Sequence, residues 1–325
     1  MNDPRICIVG AGNLSTKRIY PNVGAAGGIL AGVCDIDTEK AERNALRFGG
    51  NVYADMKEMI EKESPDGVII CINADYHVKL GMEVVNMGIP VYTEKPPAMN
   101  AADALEAARL SKEKGILHTV AFKKRYNRAY SRAKEWIDGF DGDDLYSLSI
   151  DYTSSRYRNE HQLKTLIFDY AIHAIDLTGY LFGDTESLFC FSKGMDAYAV
   201  SLKFRSGAVG TLNFNCGRGA FHPTEEVEIT ARGGNAMTLH NSACWRISRN
   251  KEPSEWYEPP TCISAGDSGH NTGHLSELID FFEAVRENRT TRSNIYESYK
   301  SMVLYEAICK STETEQPVQV EYSEI

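Results

Sequence analysis

A β-rich run, Arg5 to Val9, leads into Gly10-Ala11-Gly12-Asn13-Leu14-Ser15, and no other stretch restricts the fold as much. Glycines at a strand's end permit a turn too tight for side chains, and the residues beyond read as a helix that Pro21 stops after about two turns. Further apolar strands follow at 28–34, 67–72, 89–93 and 116–122, with helices at 38–48, 55–62, 76–86 and 101–114, the last capped by Asn100. Apolar strands alternating with helices predict a parallel sheet covered on both faces.

In that context the glycine turn has a chemical meaning. A backbone without side chains lets a pyrophosphate approach, and the next helix offers free N–H groups and a partial positive charge. Ser15 stands where a third glycine is common and is small enough for close helix-to-strand packing. Asp35 ends the second strand, where a carboxylate can accept both ribose hydroxyls of an adenosine. A 2′-phosphate would meet a like charge there, and Ile36 and Asp37 supply no arginine, so NAD is favoured over NADP. The plainer reading of Asp35 is a strand-end turn residue. After the strand at 67–72, Asn73 and His77 either touch a cofactor or cap the helix they precede.

Val91-Tyr92-Thr93 continues as Glu94-Lys95-Pro96-Pro97. An acid, a base and two prolines cannot sit inside a strand, because proline has no N–H to give to a ladder. They mark the carboxyl end of a strand, the edge where open α/β sheets bind ligands. Lys95 is thereby delivered on a stiffened backbone, and its bond to Pro96 is a candidate for the cis form. Taken alone, the same residues also read as a solvated loop.

The pattern changes after Phe122. Helices are predicted over 128–137 and 166–181, with β segments at 145–153, 188–192, 197–204, 209–215, 226–231 and 236–240. Turns such as Arg205-Ser206-Gly207 join them into an antiparallel sheet. Two amphipathic helices close the chain: 275–288, with Leu275, Leu278, Ile279, Phe282 and Val285 on one face, and a second starting at Asn294 with Glu297 in a box-like N-terminus. Asp169 and His173 stand four apart on a helix, so the acid can orient an imidazole suited to exchanging a proton with an alcohol. The alternative is a buried, satisfied histidine among Ile172, Ile175, Leu177 and Leu181.

With 42% apolar and 25% charged residues, the chain is too apolar for disorder, and it has no run long enough to span a membrane. A formal charge of −10 argues against a partner bound through phosphate contacts, so no nucleic acid is expected. Met1-Asn2-Asp3-Pro4 leaves no room for a signal peptide before the first strand. Cys7, Cys34 and Cys71 fall in core strands and no C-x-x-C pair exists, so the expectation is a reduced, cytoplasmic protein. His270 and His274 are separated by Asn-Thr-Gly, which breaks the helix face that a metal pair needs, and no metal is expected.

Together these residues resemble the family of glucose–fructose oxidoreductase, inositol dehydrogenase and the rhizopine-catabolism proteins (Gfo/Idh/MocA). The resemblance spans essentially the whole chain. It is carried by Gly10-x-Gly12, Asp35, Asn73 with His77, Glu94-Lys95-Pro96, Arg125, Asp169-x-x-x-His173 and Glu277-x-x-x-Phe281. It implies an α/β chain with an NAD-binding Rossmann domain over residues 1–122. The remainder, 123–325, is implied to be an α+β domain whose large, mostly antiparallel open sheet supports homo-oligomers, dimeric or tetrameric.

The activity implied is hydride transfer between NAD(P) and a hydroxyl carbon of a sugar, cyclitol or sugar derivative. By position, Gly10, Gly12, Asn13, Leu14, Asp35, Asn73, His77, Glu94 and Lys95 bind the cofactor. Lys95 hydrogen-bonds the reacting hydroxyl, His173 is the general base, and Asp169 orients it. Lys123, Arg125, Tyr152 and Arg156 fall near the implied pocket and either hold an anionic substrate through charged forks or are solubilising surface charges. Ser15, Leu166-Ile167-Phe168 in place of glycines, and Pro97 depart from the family pattern and blur the subfamily. A non-catalytic NAD-binding regulator and an NAD-using glycosidase are the rival readings on the same scaffold. The first has no need of the general base that this chain keeps.

Overall fold

The apolar segments of the first third pair as one six-stranded, all-parallel sheet in the computed structural model, which describes residues 3–218, 224–259 and 271–325. Its strands are β1 (Arg5–Val9), β2 (Ile29–Cys34), β3 (Asn51–Tyr53), β4 (Gly67–Ile70), β5 (Val91–Thr93) and β6 (His118–Val120). Their order is β3-β2-β1-β4-β5-β6, the arrangement of dinucleotide-binding sheets, with its switch point between β1 and β4. Helices α1 (Thr38–Phe48), α2 (Met56–Glu63), α3 (His77–Asn86) and α4 (Ala101–Lys114) connect them. Short polar side chains start three of these helices. Asp37 accepts from Lys40 N at 3.4 Å, Asp55 from Glu58 N at 2.9 Å and Asn100 from Asp103 N at 2.8 Å.

The chain divides into two compact units, Met1–Tyr126 with Ser268–Met302 and Ser323–Ile325, and Asn127–Asp267 with Val303–Tyr322. The second unit holds α5 (Arg128–Ile137), β7 (Leu145–Thr153), α6 (Glu160–Leu163), α7 (Ile172–Phe182) and β8 (Thr185–Lys193). It continues with β9 (Ala197–Phe204), β10 (Val209–Asn215), β11 (Glu225–Ala231), β12 (Asn235–His240), β13 (Cys244–Arg249) and β14 (Glu252–Tyr257). The nine-stranded sheet runs β14-β13-β12-β11-β7-β10-β9-β8 and ends on β15 (Val318–Gln319). β7 and β10 pair in parallel and the other neighbours are antiparallel, so the sheet is mostly antiparallel, as expected, with one parallel pair. Period-two alternation holds: β9 buries Tyr198, Val200, Leu202 and Phe204 and exposes Ala199, Ser201 and Lys203.

Near the end of the chain come α8 (His274–Glu287) and α9 (Ile295–Thr314). Asn294 starts α9, accepting from Tyr296 N and Glu297 N at 3.1 Å. α8 folds with the first unit, although it lies some 150 residues downstream of that unit's last strand. Leu275, Leu278, Phe281 and Phe282 pack with Ile6, Ile8, Val33, Ile69 and Tyr92 from one face of the parallel sheet. The opposite face, with Cys7, Val9, Val68, Ile70 and Val91, packs on α2 and α3 through Met56, Met59, Ile60, Val84 and Val85. α8 comes so near that a Cβ on Gly28 would lie 2.6 Å from the Phe282 ring, which is why the residue before β2 carries no side chain.

Candidate functional site

The glycine turn lies at the switch point. Gly10 has φ +105°, and a Cβ there would stand 2.1 Å from the Cys71 carbonyl oxygen just beyond β4. The turn is held by Gly10 N on Cys34 O at 2.8 Å and by the Tyr20 hydroxyl on Gly10 O at 3.2 Å. Gly12, Asn13 and Leu14 are exposed, and a Cβ on Gly12 would meet nothing within 4 Å. Ser15 is fully buried, and its hydroxyl donates to Gly12 O at 3.1 Å, so the residue replacing the third glycine closes the turn. A backbone that is tight at Gly10 and open above Gly12 fits a dinucleotide pyrophosphate, with chain 13–19 as the helical start beneath it.

Asp35 follows β2, and its carboxylate accepts from Ala11 N at 2.7 Å and from Asp37 N at 2.9 Å. It thus orders the turn besides being half exposed at the ligand edge. Next to it Ile36 is 96% exposed, a large apolar surface that sequence reasoning used only to exclude an arginine. Asn73 is exposed, and its side chain makes no capping bond to the short turn Ala74–Tyr76.

His77 differs from the expectation. Its ring is 1% exposed, with Nδ1 2.8 Å from Pro96 O and Nε2 3.1 Å from Ile72 O, so it braces the loops and does not face a ligand directly. Burial holds its pKa below the ordinary value, with the two carbonyls opposing. A neutral ring has one N–H and serves one carbonyl at a time.

The carbonyl beside His77 Nδ1 is that of Pro96, the residue joined to Lys95 by a cis bond. Pro96, Pro97 and Ala98 are buried, Lys95 is half exposed, and Glu94 Oε2 accepts from Lys95 N at 3.2 Å. Glu94 N in turn donates to Ile70 O at 3.0 Å, fixing the turn to the end of β4. Lys95 therefore stands on the same carboxyl edge as Gly10–Leu14, Asp35 and Asn73.

Two residues expected to hold substrate have other occupations. Arg125 is 2% exposed, donates to Arg292 O at 2.6 Å and lies 3.9 Å from Glu297, tying the turn after β6 to the start of α9. Lys123 Nζ lies 3.3 Å from His274 Nε2, and burial with Lys124 lowers its pKa against the pull of Glu277 and Glu94. His274 receives or gives a second bond at Thr272 Oγ1, 2.7 Å away, and burial beside Lys123 and Arg18 pushes its pKa down to about 3. His270 lies outside the described residues. Among the described residues no group of three His, Cys, Asp or Glu is arranged to hold a metal, and the seven cysteines there are free thiols.

In the second unit, Asp169 lies in a π-helical turn, Leu166–Ala171, that runs into α7, so the predicted helix begins with a wider turn. Its exposed carboxylate accepts from the Tyr157 hydroxyl at 3.1 Å, a partner the i, i+4 spacing did not announce. Burial, and then the Asp169 charge, raise the Tyr157 pKa. His173 follows in α7 and is 9% exposed. Tyr152, 3% exposed, stacks on Tyr170 at 4.3 Å and belongs to the interior, whereas Arg156 is exposed.

Residues 4–122 match the oxidoreductase family with an NAD-binding Rossmann fold, and residues 151–320 match the C-terminal α/β domain of the same oxidoreductase family. A myo-inositol 2-dehydrogenase of Thermotoga maritima is 22% identical over 71% of this chain and 73% of its own. An inositol 2-dehydrogenase of Saccharopolyspora erythraea is 27% identical over 74% of this chain and 77% of its own. A levoglucosan dehydrogenase solved with NADH and L-sorbose shares the fold with a TM-score of 0.86 at 18% identity, covering 99% of this chain and all of its own (100%).

Proposed function

We propose, from the premise that this chain belongs to the Gfo/Idh/MocA oxidoreductase family and its NAD-binding Rossmann fold, that it is an NAD-dependent dehydrogenase of sugars, cyclitols or their derivatives. The observation that carries the reading is the carboxyl edge of the parallel sheet. Gly10, Gly12, Asn13, Leu14, Asp35 and Asn73 stand there together with Lys95, on a turn that Glu94 and His77 hold in place. Inositol and levoglucosan dehydrogenases among its relatives support the substrate class.

NAD, when bound, supplies the hydride acceptor, and the exposed face of Ile36 suits its adenine. Lys95 donates a hydrogen bond to the reacting hydroxyl and stabilises its developing negative charge. His173 takes the hydroxyl proton, and Asp169, itself fixed by Tyr157, orients the imidazole. Arg156 is the remaining exposed candidate for an anionic substituent. Residues 1–122 serve the cofactor and 123–325 the substrate and self-association through the mixed sheet, with α8 returning to complete the cofactor-binding unit. No helix among the described residues is long and apolar enough to cross a membrane, and a cytoplasmic location suits the free thiols.

The test is a screen of sugars, cyclitols and uronates, following nicotinamide absorbance with saturating NAD and then NADP. NADH formation with a polyol, faster than NADPH formation, is the expected result. Tight NAD binding with no turnover of any polyol would contradict it.

A further inference from the structure

α8 buries an acid that the reaction above does not use. Glu277 is 1% exposed, and among the described residues neither of its oxygens has a hydrogen-bond partner. Spacing places it on the helix face shared by His274 and Phe281, and Phe281 packs on Tyr92 at a ring distance of 5.7 Å. Titratable groups meet it from every neighbouring segment: Tyr92 and Glu94 from the end of β5, Lys123 from the turn after β6, Cys71 beyond β4, and His274 with its neighbour Arg18.

Two carboxyls, Glu277 and Glu94, lie near each other in a buried region, and an ionised carboxyl buried without a hydrogen-bond donor is costly beside a second anion. A proton retained on one of them removes that cost. Glu277 is the acid with no donor to stabilise an anion, while Glu94 accepts the Lys95 N–H. Burial first, and then the charge of Glu94, push the Glu277 pKa well up. Lys123 and the Tyr92 hydroxyl, which stands near but outside hydrogen-bond geometry, pull it back.

We propose that Glu277 is a positioning residue for the dehydrogenase reaction: as the neutral acid beneath the Glu94-Lys95-Pro96 turn, it leaves Lys123 to balance Glu94 alone and so keeps Lys95 in place. The proposal rests on the role given to Lys95 above. Ionising Glu277 sets a second anion beside Glu94 and draws Lys123 away from it, so turnover falls at high pH.

Infrared difference spectroscopy on the full chain with NAD+ reads the proton without turnover. The unmodified protein shows the C=O band of a buried protonated carboxyl at neutral pH, and Glu277→Gln lacks it. That variant, a permanent mimic of the neutral acid, keeps kcat within about threefold at neutral pH and loses the alkaline fall, because no proton is left to release. Tyr92→Phe, which removes a hydroxyl without a hydrogen-bond partner, moves both the loss of the band and the alkaline fall to higher pH, and it serves if the glutamine variant does not fold. Absence of the band in the unmodified protein overturns the proposal, as does an unchanged alkaline limb in Glu277→Gln or Tyr92→Phe. An unmodified protein with the band but no turnover refutes the reading of the reaction instead, so the two failures are told apart.

Discussion

Phe281→Ala tests whether α8, distant in sequence, holds the cofactor-binding unit together. Phe281 is fully buried, its ring 5.7 Å from that of Tyr92 and 5.8 Å from that of Phe282, and it reaches within 3.4 Å of where a Cβ on Gly67 would be. Truncation removes the ring from between the helix and two strands that cannot collapse onto the space, so the loss is about 3–5 kcal/mol. In a unit of this size that lowers the melting temperature by roughly 6–20 °C. The assay is chemical denaturation followed by loss of NAD+ binding, which reads the first unit, with tryptophan fluorescence reading the second, which holds Trp136, Trp245 and Trp256, since the two units need not unfold together. Leu46→Ala is the control: Leu46 is 92% exposed on α1, and its loss stays within about 0.5 kcal/mol. A Phe281→Ala loss as small as that of Leu46→Ala would refute the account of α8.

Gly10→Ala puts a methyl group onto the Cys71 carbonyl at a φ of +105°, so the turn has to open. NAD+ affinity falls at least about tenfold by titration calorimetry, and an unchanged Kd would contradict the geometry. His118 is buried with a pKa pushed down to about 3 by burial, with His77 nearby. Unfolded, it titrates near 6.5, so between the two values the unfolded chain binds a proton that the folded chain does not. Stability therefore falls as pH drops from about 6.5 toward 3, by up to about 1.4 kcal/mol per pH unit from this residue. Urea unfolding at successive pH values gives a shallower slope for His118→Gln, and an identical slope would count against the reading.

Most of the parallel sheet is legible in the chain because β1, β2 and β4 lie in apolar runs and three of the helices, α1, α2 and α4, start on an Asp or Asn. β3 escapes notice for the opposite reason: Asn51-Val52-Tyr53 is three residues long and Val52 is exposed. β13 and β14 escape because Arg246, Ser248, Glu252 and Glu255 interrupt any apolar signal, and Pro253 argues against a strand unless it lies at an edge, as it does. The amphipathic pattern of α8 shows that it packs, and only the fold shows on what. Its buried face also includes His274, Glu277 and Phe281, which the apolar set Leu275, Leu278, Ile279, Phe282 and Val285 leaves out. An acid three residues after a histidine and four before a phenylalanine was the available sign that a carboxyl lies on the buried side.

At the candidate site, some of the expected residues reach the carboxyl edge of the sheet and others are buried elsewhere. Gly10, Asp35 and Lys95 stand on the ligand edge as their sequence context implies. Arg125 and Tyr152 have the right types for substrate contacts but are buried, Arg125 on Arg292 and Tyr152 on Tyr170. The π-helical turn around Asp169 alters the register that an α-helical i, i+4 reading assumes, and brings in Tyr157 from 12 residues earlier.

Turnover of Lys95→Met and His173→Ala with a polyol that the unmodified protein oxidises tests the central claim most directly, with NAD+ binding measured in parallel. Each variant should lose at least about 100-fold in kcat while NAD+ affinity stays within about threefold. Unimpaired turnover in both variants would contradict the claim.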